Sequence, residues 1–319
     1  MKAVFLDFAT VGPADLDATP LTRLLPTIEL RDSTPAKDVV ETVADMDIVL
    51  TNKVKLGAAV LREARALQFI GLTATGTDNV DLAYATRHGI AVCNIRAYCT
   101  QSVVEHVFGV LLKLTHSIDQ YEQAVRDGDW AESTEFCLLN HPLRELSSMT
   151  LGIVGYGELG QGVARMAEHF GMRVLISERP GGDRGEHGNR VPFATLLQQS
   201  DVISLHCPLN DATRNLFGAA EFAAMKPNAI LINTARGGLV DSAALVEALR
   251  SGQIFGAGID VLPQEPPVDG DPLIDYRAPN LVLTPHIAWA TREARQRAID
   301  EIAANVESFL AGGRRNRVN

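Results

Sequence analysis

Apolar residues in this chain gather in short unbroken runs instead of alternating with polar ones. Such runs occupy positions 3–6, 47–50, 68–72 and 90–93, and a second series occupies 150–154, 173–176, 202–205, 229–232, 256–259 and 281–284. Each run is apolar on both faces, the pattern of strands buried under helices on either side. Between the runs the period changes, and positions 57–66 and 241–251 carry helical spacing. Strand and helix in alternation predict βαβ units, parallel sheets and an α/β fold. No repeat of fixed period and no low-complexity tract interrupts the alternation.

Two longer segments stand apart. Positions 101–118 are apolar nearly all round, which predicts a long buried helix. It lies between the two strand series, where a connection between domains belongs. Positions 291–310 follow the last strand, with Ala294, Ala298, Ile302, Val306 and Phe309 spaced by three or four, as on one helical face.

Composition narrows the function classes. A chain of 319 residues suggests two domains of ordinary size, and 46% hydrophobic with 21% charged residues describes a globular protein with ample core. The formal net charge is −10, and no Lys/Arg run exceeds the Arg314–Arg315 pair, so no nucleic-acid surface is expected. A small anionic substrate stays open, because a few arginines govern the field inside a cleft. No membrane association is expected either. The opening MKAVFLDF is too short for a signal peptide, and the longest apolar stretch, 103–114, is interrupted by Glu105, His106 and Lys113. The four cysteines (Cys93, Cys99, Cys137 and Cys207) form no CxxC pair and no Cys/His cluster. Scattered reduced thiols in a cytoplasmic protein, without a metal site, is the expectation.

The segment LGIVGYGELG, residues 151–160, contains G-x-G-x-x-G at Gly155, Gly157 and Gly160. The motif alone is weak, but its context matches a dinucleotide-binding fingerprint. A strand pattern leads into it. Val163, Met166, Ala167 and Phe170 then mark one helical face, and a second strand ends at Glu178. Gly155 permits the tight turn, Gly157 lets backbone approach a pyrophosphate, and Gly160 lets helix pack on strand. The helix N-terminus offers unpaired N–H groups and a positive dipole end to the phosphates. Glu178 suits the ribose hydroxyls and repels a 2′-phosphate, favouring NAD over NADP. Arg179, directly after it, leaves NADP as the alternative.

In an open α/β sheet, ligands bind outside the carboxyl ends of the strands. After the run 229–232 comes NTARGGLVD, which places Arg236 at a strand end. After 256–259 comes DVLPQEPP, with Asp260 and then Glu265 in a Pro-stiffened loop. After 281–284 comes PHIAWAT, with His286 behind Pro285. Reduction of a ketone by hydride builds negative charge on the carbonyl oxygen. A histidine can give that oxygen a proton, and a carboxylate can orient the ring and stabilise its charged form. An arginine offers a planar fork to a substrate carboxylate. Taken singly, each has a plain alternative: a surface ion pair for Arg236, a solvated carboxylate for Glu265, a satisfied histidine for His286. Together, behind a dinucleotide fingerprint, they point to a 2-oxo acid or 2-hydroxy acid substrate.

GLTATGTDNVD (71–81), GYGELG, HCPLNDATRNL (206–216), NTARGGLVD, GAGIDVLPQEPP (256–267) and TPHIAWAT (284–291) resemble the D-isomer-specific 2-hydroxyacid dehydrogenase family nearly end to end. The resemblance implies catalytic roles for Arg236, Glu265 and His286. It implies a carboxylate-binding loop at Thr75 and Gly76, with Arg236 and His286 also touching substrate. It further implies cofactor contacts at Glu158, Leu159, Glu178, Cys207, Pro208, Thr234, Ala235 and Asp260, beside the three motif glycines. Two Rossmann-like domains are implied, residues 98–285 binding nucleotide and residues 1–97 with 286–319 forming a discontinuous substrate domain. Positions 92–106 and 284–290 are most similar to the hydroxypyruvate-reducing glycerate dehydrogenases, implying activity on hydroxypyruvate and glyoxylate. A bulky Trp289 suits a short substrate or plain packing. Trp130 falls in a segment the family uses for dimer contact, so a homodimer is expected. A different class stays open, because the same fold also serves as an NAD-sensing corepressor.

Overall fold

The computed structural model describes residues 1–179 and 190–319. The chain divides into two compact units, one formed by Met1–Cys99 with Trp289–Asn319 and the other by Thr100–Ala288. Each is built on a parallel sheet, as the alternation of apolar runs and helical spacing predicts. The longer helices are α1 (Thr100–Thr115), α2 (Ile118–Asp127), α3 (Glu158–His169), α4 (Ser242–Arg250) and α5 (Arg292–Leu310).

The sheet of the first unit has strands β1 (Ala3–Phe5), β2 (Glu29–Leu30), β3 (Ile48–Thr51), β4 (Phe69–Leu72) and β5 (Ala91–Cys93), in the order β2-β1-β3-β4-β5. Every residue of β1, β3, β4 and β5 is buried. This explains the absence of alternation in their sequences. The edge strand β2 is only two residues long and partly exposed, so it leaves no apolar run to read. Helix α5 lies against β4, where a methyl group on Gly71 would come within 2.7 Å of Ile302 Cδ1. Ala294, Ala298, Ile302 and Val306 form its buried face, and Phe309 meets Phe69 with ring centroids 4.8 Å apart.

The sheet of the second unit has β6 (Thr150–Val154), β7 (Arg173–Ile176), β8 (Val202–Leu205), β9 (Ile230–Asn233), β10 (Gly256–Ile259) and β11 (Leu281–Leu283), in the order β11-β10-β9-β8-β6-β7. The strand order reverses beside β6, so the crevice between the carboxyl ends of β6 and β8 is where an open sheet of this kind takes a ligand. Helix α1 covers β10 so closely that a side chain on Gly258 would meet Val110 Cγ1 at 2.3 Å. Its buried residues run from Ser102 to Thr115, leaving a narrow exposed stripe at Gln101, Glu105 and Gly109.

The helix predicted over 101–118 stops sooner. Thr115 turns its hydroxyl back onto Leu111 O at 2.9 Å, and Ser117 adopts a left-handed conformation (φ 47°) with its Oγ donating to Pro142 O at 2.8 Å. Helix α2 then begins at Ile118. Neither Gly nor Pro marks this break, and the side-chain hydrogen bond that secures it joins residues 25 positions apart.

Candidate active site

The glycine turn is built by close approach. Gly155 has φ 95°, a conformation that L side chains rarely adopt, and a Cβ there would lie 2.4 Å from Cys207 N. A Cβ on Gly160 would lie 2.1 Å from Gly155 O, so α3 can begin only where no side chain stands. These contacts bring the turn after β6 against the segment after β8, placing Gly155, Gly160 and Cys207 together. Gly157 differs, because a Cβ there would meet nothing within 4 Å. Open space thus lies before the start of α3, whose first residues are Glu158 and Leu159. The N-terminus of α3 has no side-chain cap, leaving its first-turn N–H groups directed outward.

Glu178 follows β7 and is half-buried, while Arg179 is exposed. The Glu178 backbone is fixed by its N–H bond to Val191 O at 2.9 Å. Beyond β8, the His206 ring places Nε2 2.8 Å from Ser204 Oγ, and its buried Nδ1 has no hydrogen-bond partner among the described residues. Burial pushes this imidazole down to about 4, so it is neutral near pH 7. Cys207 is buried, and its thiol is pushed up to about 11 by the same desolvation. It is therefore no nucleophile near neutrality. Pro208 contributes its carbonyl to the Thr213 hydroxyl at 2.7 Å. After β9, the Thr234 hydroxyl is buried with no hydrogen-bond partner among the described residues. An open cradle at Gly157 and an orphaned donor at Thr234 both fit a polar ligand lying along these strand ends.

The Arg236 loop is organised by Asn233, fully buried at the end of β9. Its Nδ2 donates to Arg236 O at 2.9 Å and its Oδ1 accepts from Ala235 N at 3.0 Å. The guanidinium is half-buried and donates to Ala235 O at 2.7 Å. Gly237 presses against the next loop, since a Cβ there would fall 1.9 Å from Leu262 C. The N–H of that same Leu262 donates to Glu265 Oε1 at 2.9 Å. Glu265 is held in turn against His286, with Oε2 2.6 Å from Nδ1. Backbone contact thus links the loops bearing Arg236 and Glu265, and a short hydrogen bond links Glu265 to His286.

His286 sits at φ 58°, a left-handed conformation that costs a non-glycine residue roughly 1–2 kcal/mol. Asp260 holds it there. His286 N donates to Asp260 O at 2.7 Å. The Asp260 carboxylate accepts from Ile287 N at 2.9 Å, Ala288 N at 2.8 Å and Thr284 Oγ1 at 2.6 Å. Asp260 is 1% exposed, so these donors replace the water a carboxylate needs. Thr284, His106 and Ser102 join this arrangement; they lie in the segments 284–291 and 92–106, but the sequence assigned none of them a role beyond the interruption of an apolar helix by His106.

In the first unit, Thr75 and Gly76 follow β4. Thr75 O accepts from Asn94 Nδ2 at 2.7 Å, and Asn94 stands at the end of the neighbouring β5. Trp289 is half-buried beside Tyr98, with ring centroids 6.3 Å apart. Among the described residues there is no group of three or more His, Cys, Asp or Glu able to hold a metal ion, and no helix long and apolar enough to cross a membrane.

Residues 108–288 match the family model described as D-isomer specific 2-hydroxyacid dehydrogenase, NAD binding domain. The chain is 47% identical over 282 residues to a glycerate dehydrogenase of Methylorubrum extorquens, covering 88% of each chain. It is 38% identical over 323 residues to a hydroxypyruvate reductase of Blautia hydrogenotrophica, covering 100% of each. Among solved structures, an NADPH-dependent glyoxylate/hydroxypyruvate reductase from Sinorhizobium meliloti, in complex with NADP and malonate, superposes with TM-score 0.81 at 27% identity. That comparison covers 99% of this chain and 96% of the other.

Proposed function

The chain belongs to the D-isomer specific 2-hydroxyacid dehydrogenases, oxidoreductases acting on CH–OH groups, and on that premise we propose that it reduces hydroxypyruvate, and glyoxylate beside it, with NADH as donor. The observation that carries this reading is the 2.6 Å contact between His286 Nδ1 and Glu265 Oε2 at the ends of a dinucleotide-type sheet. When bound, the nicotinamide supplies the hydride. Arg236 then offers its guanidinium to the substrate carboxylate. Charge grows on the carbonyl oxygen, and His286 donates the proton from Nε2 while Nδ1–H stays on Glu265. The carboxylate holds the ring in the tautomer that can take the proton back in the reverse direction.

Cofactor preference follows from Glu178. Its carboxylate at the end of β7 accepts hydrogen bonds from ribose hydroxyls and repels a 2′-phosphate. The N-terminal turn of α3, with Glu158 and Leu159, receives the pyrophosphate. Cys207, Pro208, Thr234, Ala235 and Asp260 line the path beyond it. Arg179 supports the second reading, an NADP-preferring enzyme, which the Sinorhizobium meliloti relative's own cofactor also favours.

A homodimer is part of this proposal. Ile118, Val125, Trp130, Phe136, Leu139 and Leu143 are exposed large apolar side chains within one stretch of the second unit, Phe136 at 89%. A second copy of the chain is the partner that would cover them. Sedimentation velocity should give a dimer for the native chain and a monomer for Trp130→Asp/Phe136→Asp; a native monomer would remove this element. Cytoplasmic location belongs to the same reading, resting on its scattered thiols.

The test follows NADH and NADPH consumption with hydroxypyruvate, glyoxylate and pyruvate in parallel. Hydroxypyruvate with NADH should lead, and His286→Ala should lower turnover at least about a hundredfold. Preference for NADPH would pass control of the ribose site to Arg179. Near-normal turnover by His286→Ala would sink the acid/base assignment, and no turnover with any oxo acid would favour a binding protein.

A further inference from the structure

Near its start, helix α1 carries two polar side chains, buried Ser102 and half-buried His106, among apolar buried neighbours. Ser102 and His106 are four residues apart, so they lie one above the other on the same side of the helix. Ser102 Oγ donates to Ala288 O at 2.6 Å. His106 Nε2 lies 3.2 Å from Thr284 Oγ1 and 3.8 Å from Asp260 Oδ1. The two contacts therefore grip the turn carrying His286 on both sides, at residues 284 and 288.

The direction of the hydrogen bonds follows from counting protons. Thr284 has one hydroxyl hydrogen, and the 2.6 Å contact commits it to the Asp260 carboxylate, which can only accept. Thr284 Oγ1 must then accept from His106, so His106 Nε2 carries a hydrogen. The chain runs His106 Nε2–H to Thr284 Oγ1–H to Asp260 Oδ1, and Asp260 holds the N–H groups of Ile287 and Ala288. A left-handed His286 persists only where its surroundings over-determine it. Asp260 supplies one side of that constraint and α1 the other.

We propose that Ser102 and His106 are positioning residues for the reaction: through Ala288, Thr284 and Asp260 they hold the left-handed turn that presents His286. This rests on the acid/base reading of His286. It assigns α1 a role in turnover although neither residue touches substrate. Losing one clamp shifts the imidazole by a fraction of an ångström, which geometry-sensitive proton transfer registers in kcat more than in KM. A misplacement of about 1 Å can cost about a hundredfold, so a smaller shift is expected to cost about tenfold to a hundredfold.

The test compares His106→Leu, His106→Gln and Ser102→Ala with the native enzyme. His106→Leu should lower kcat about tenfold to a hundredfold with KM and NADH affinity within about threefold. His106→Gln, whose amide can donate to Thr284, should recover most of the loss. Amide hydrogen exchange over 284–288, read by mass spectrometry, should rise in His106→Leu and Ser102→Ala and stay native-like in His106→Gln. Unchanged kcat and unchanged exchange, beside an inactive His286→Ala, would overturn the brace alone. Equal losses in His106→Leu and His106→Gln would overturn it as well, because the donor would then not matter. Full turnover by His286→Ala with raised exchange in the brace variants would instead strike the acid role on which the proposal rests.

Discussion

His286 Nδ1 is engaged by Glu265 at 2.6 Å, a contact that leaves the proton exchange proposed above to Nε2. That residue-scale fact was half legible in advance. The residue types Arg236, Glu265 and His286 could be picked out because each follows an apolar run, and chemistry then suggested their roles. Nothing in the order of residues shows that Glu265 Oε1 is held by Leu262 N–H, or that Gly237 must be glycine to pass Leu262. The cysteines give a test at this scale. Burial pushes the thiols of Cys93, Cys99 and Cys207 up to about 11, whereas Cys137 is the one of the four that is not buried. In the Trp130→Asp/Phe136→Asp variant, which removes the proposed covering by a second copy, iodoacetamide at pH 7.5 should label Cys137 at least about tenfold faster than the other three, since the thiolate is the reacting form. Faster labelling of Cys207, mapped by peptide mass spectrometry, would contradict its burial.

At the scale of elements, uninterrupted apolar runs were legible as strands because both faces of each sheet are covered. Edge and end features were not. Strand β2 pairs with β1 through two residues that carry no pattern, and the break at Ser117 depends on a distant carbonyl. Helix starts are more local. Asp241 caps α4 by accepting Ala244 N at 3.0 Å, one of the donors a helix start leaves unpaired. Asp241→Ala should lower stability by about 1 kcal/mol, and Asp241→Asn by much less. Urea unfolding of the two variants checks this, and equal stability of all three proteins would show that the cap contributes nothing.

For the whole molecule, pH acts through groups whose folded environment differs from water. His206 has an ordinary value of 6.5 and is lowered to about 4 by burial. The unfolded chain therefore binds a proton more readily than the folded one between those values. The associated stability is fully present above about pH 6.5 and is lost as pH falls towards about 4. The full shift corresponds to about 3 kcal/mol. Unfolding free energies at pH 7.5 and 4.5 should fall less steeply for His206→Gln than for the native chain. Parallel curves would assign the acid sensitivity to other groups.

Local order of residues was enough to determine the α/β class, the position of the glycine turn and the residue types available for hydride-linked proton transfer. These depend on burial periodicity and on backbone freedom, both written into neighbouring positions. Tertiary structure alone decided that the Gly155 turn abuts Cys207, that Asp260 gathers the donors of a left-handed His286 turn, and that Ser102 and His106 grip it. Those contacts join residues far apart in the chain, and their geometry exists only once parallel strands have set the strand ends side by side.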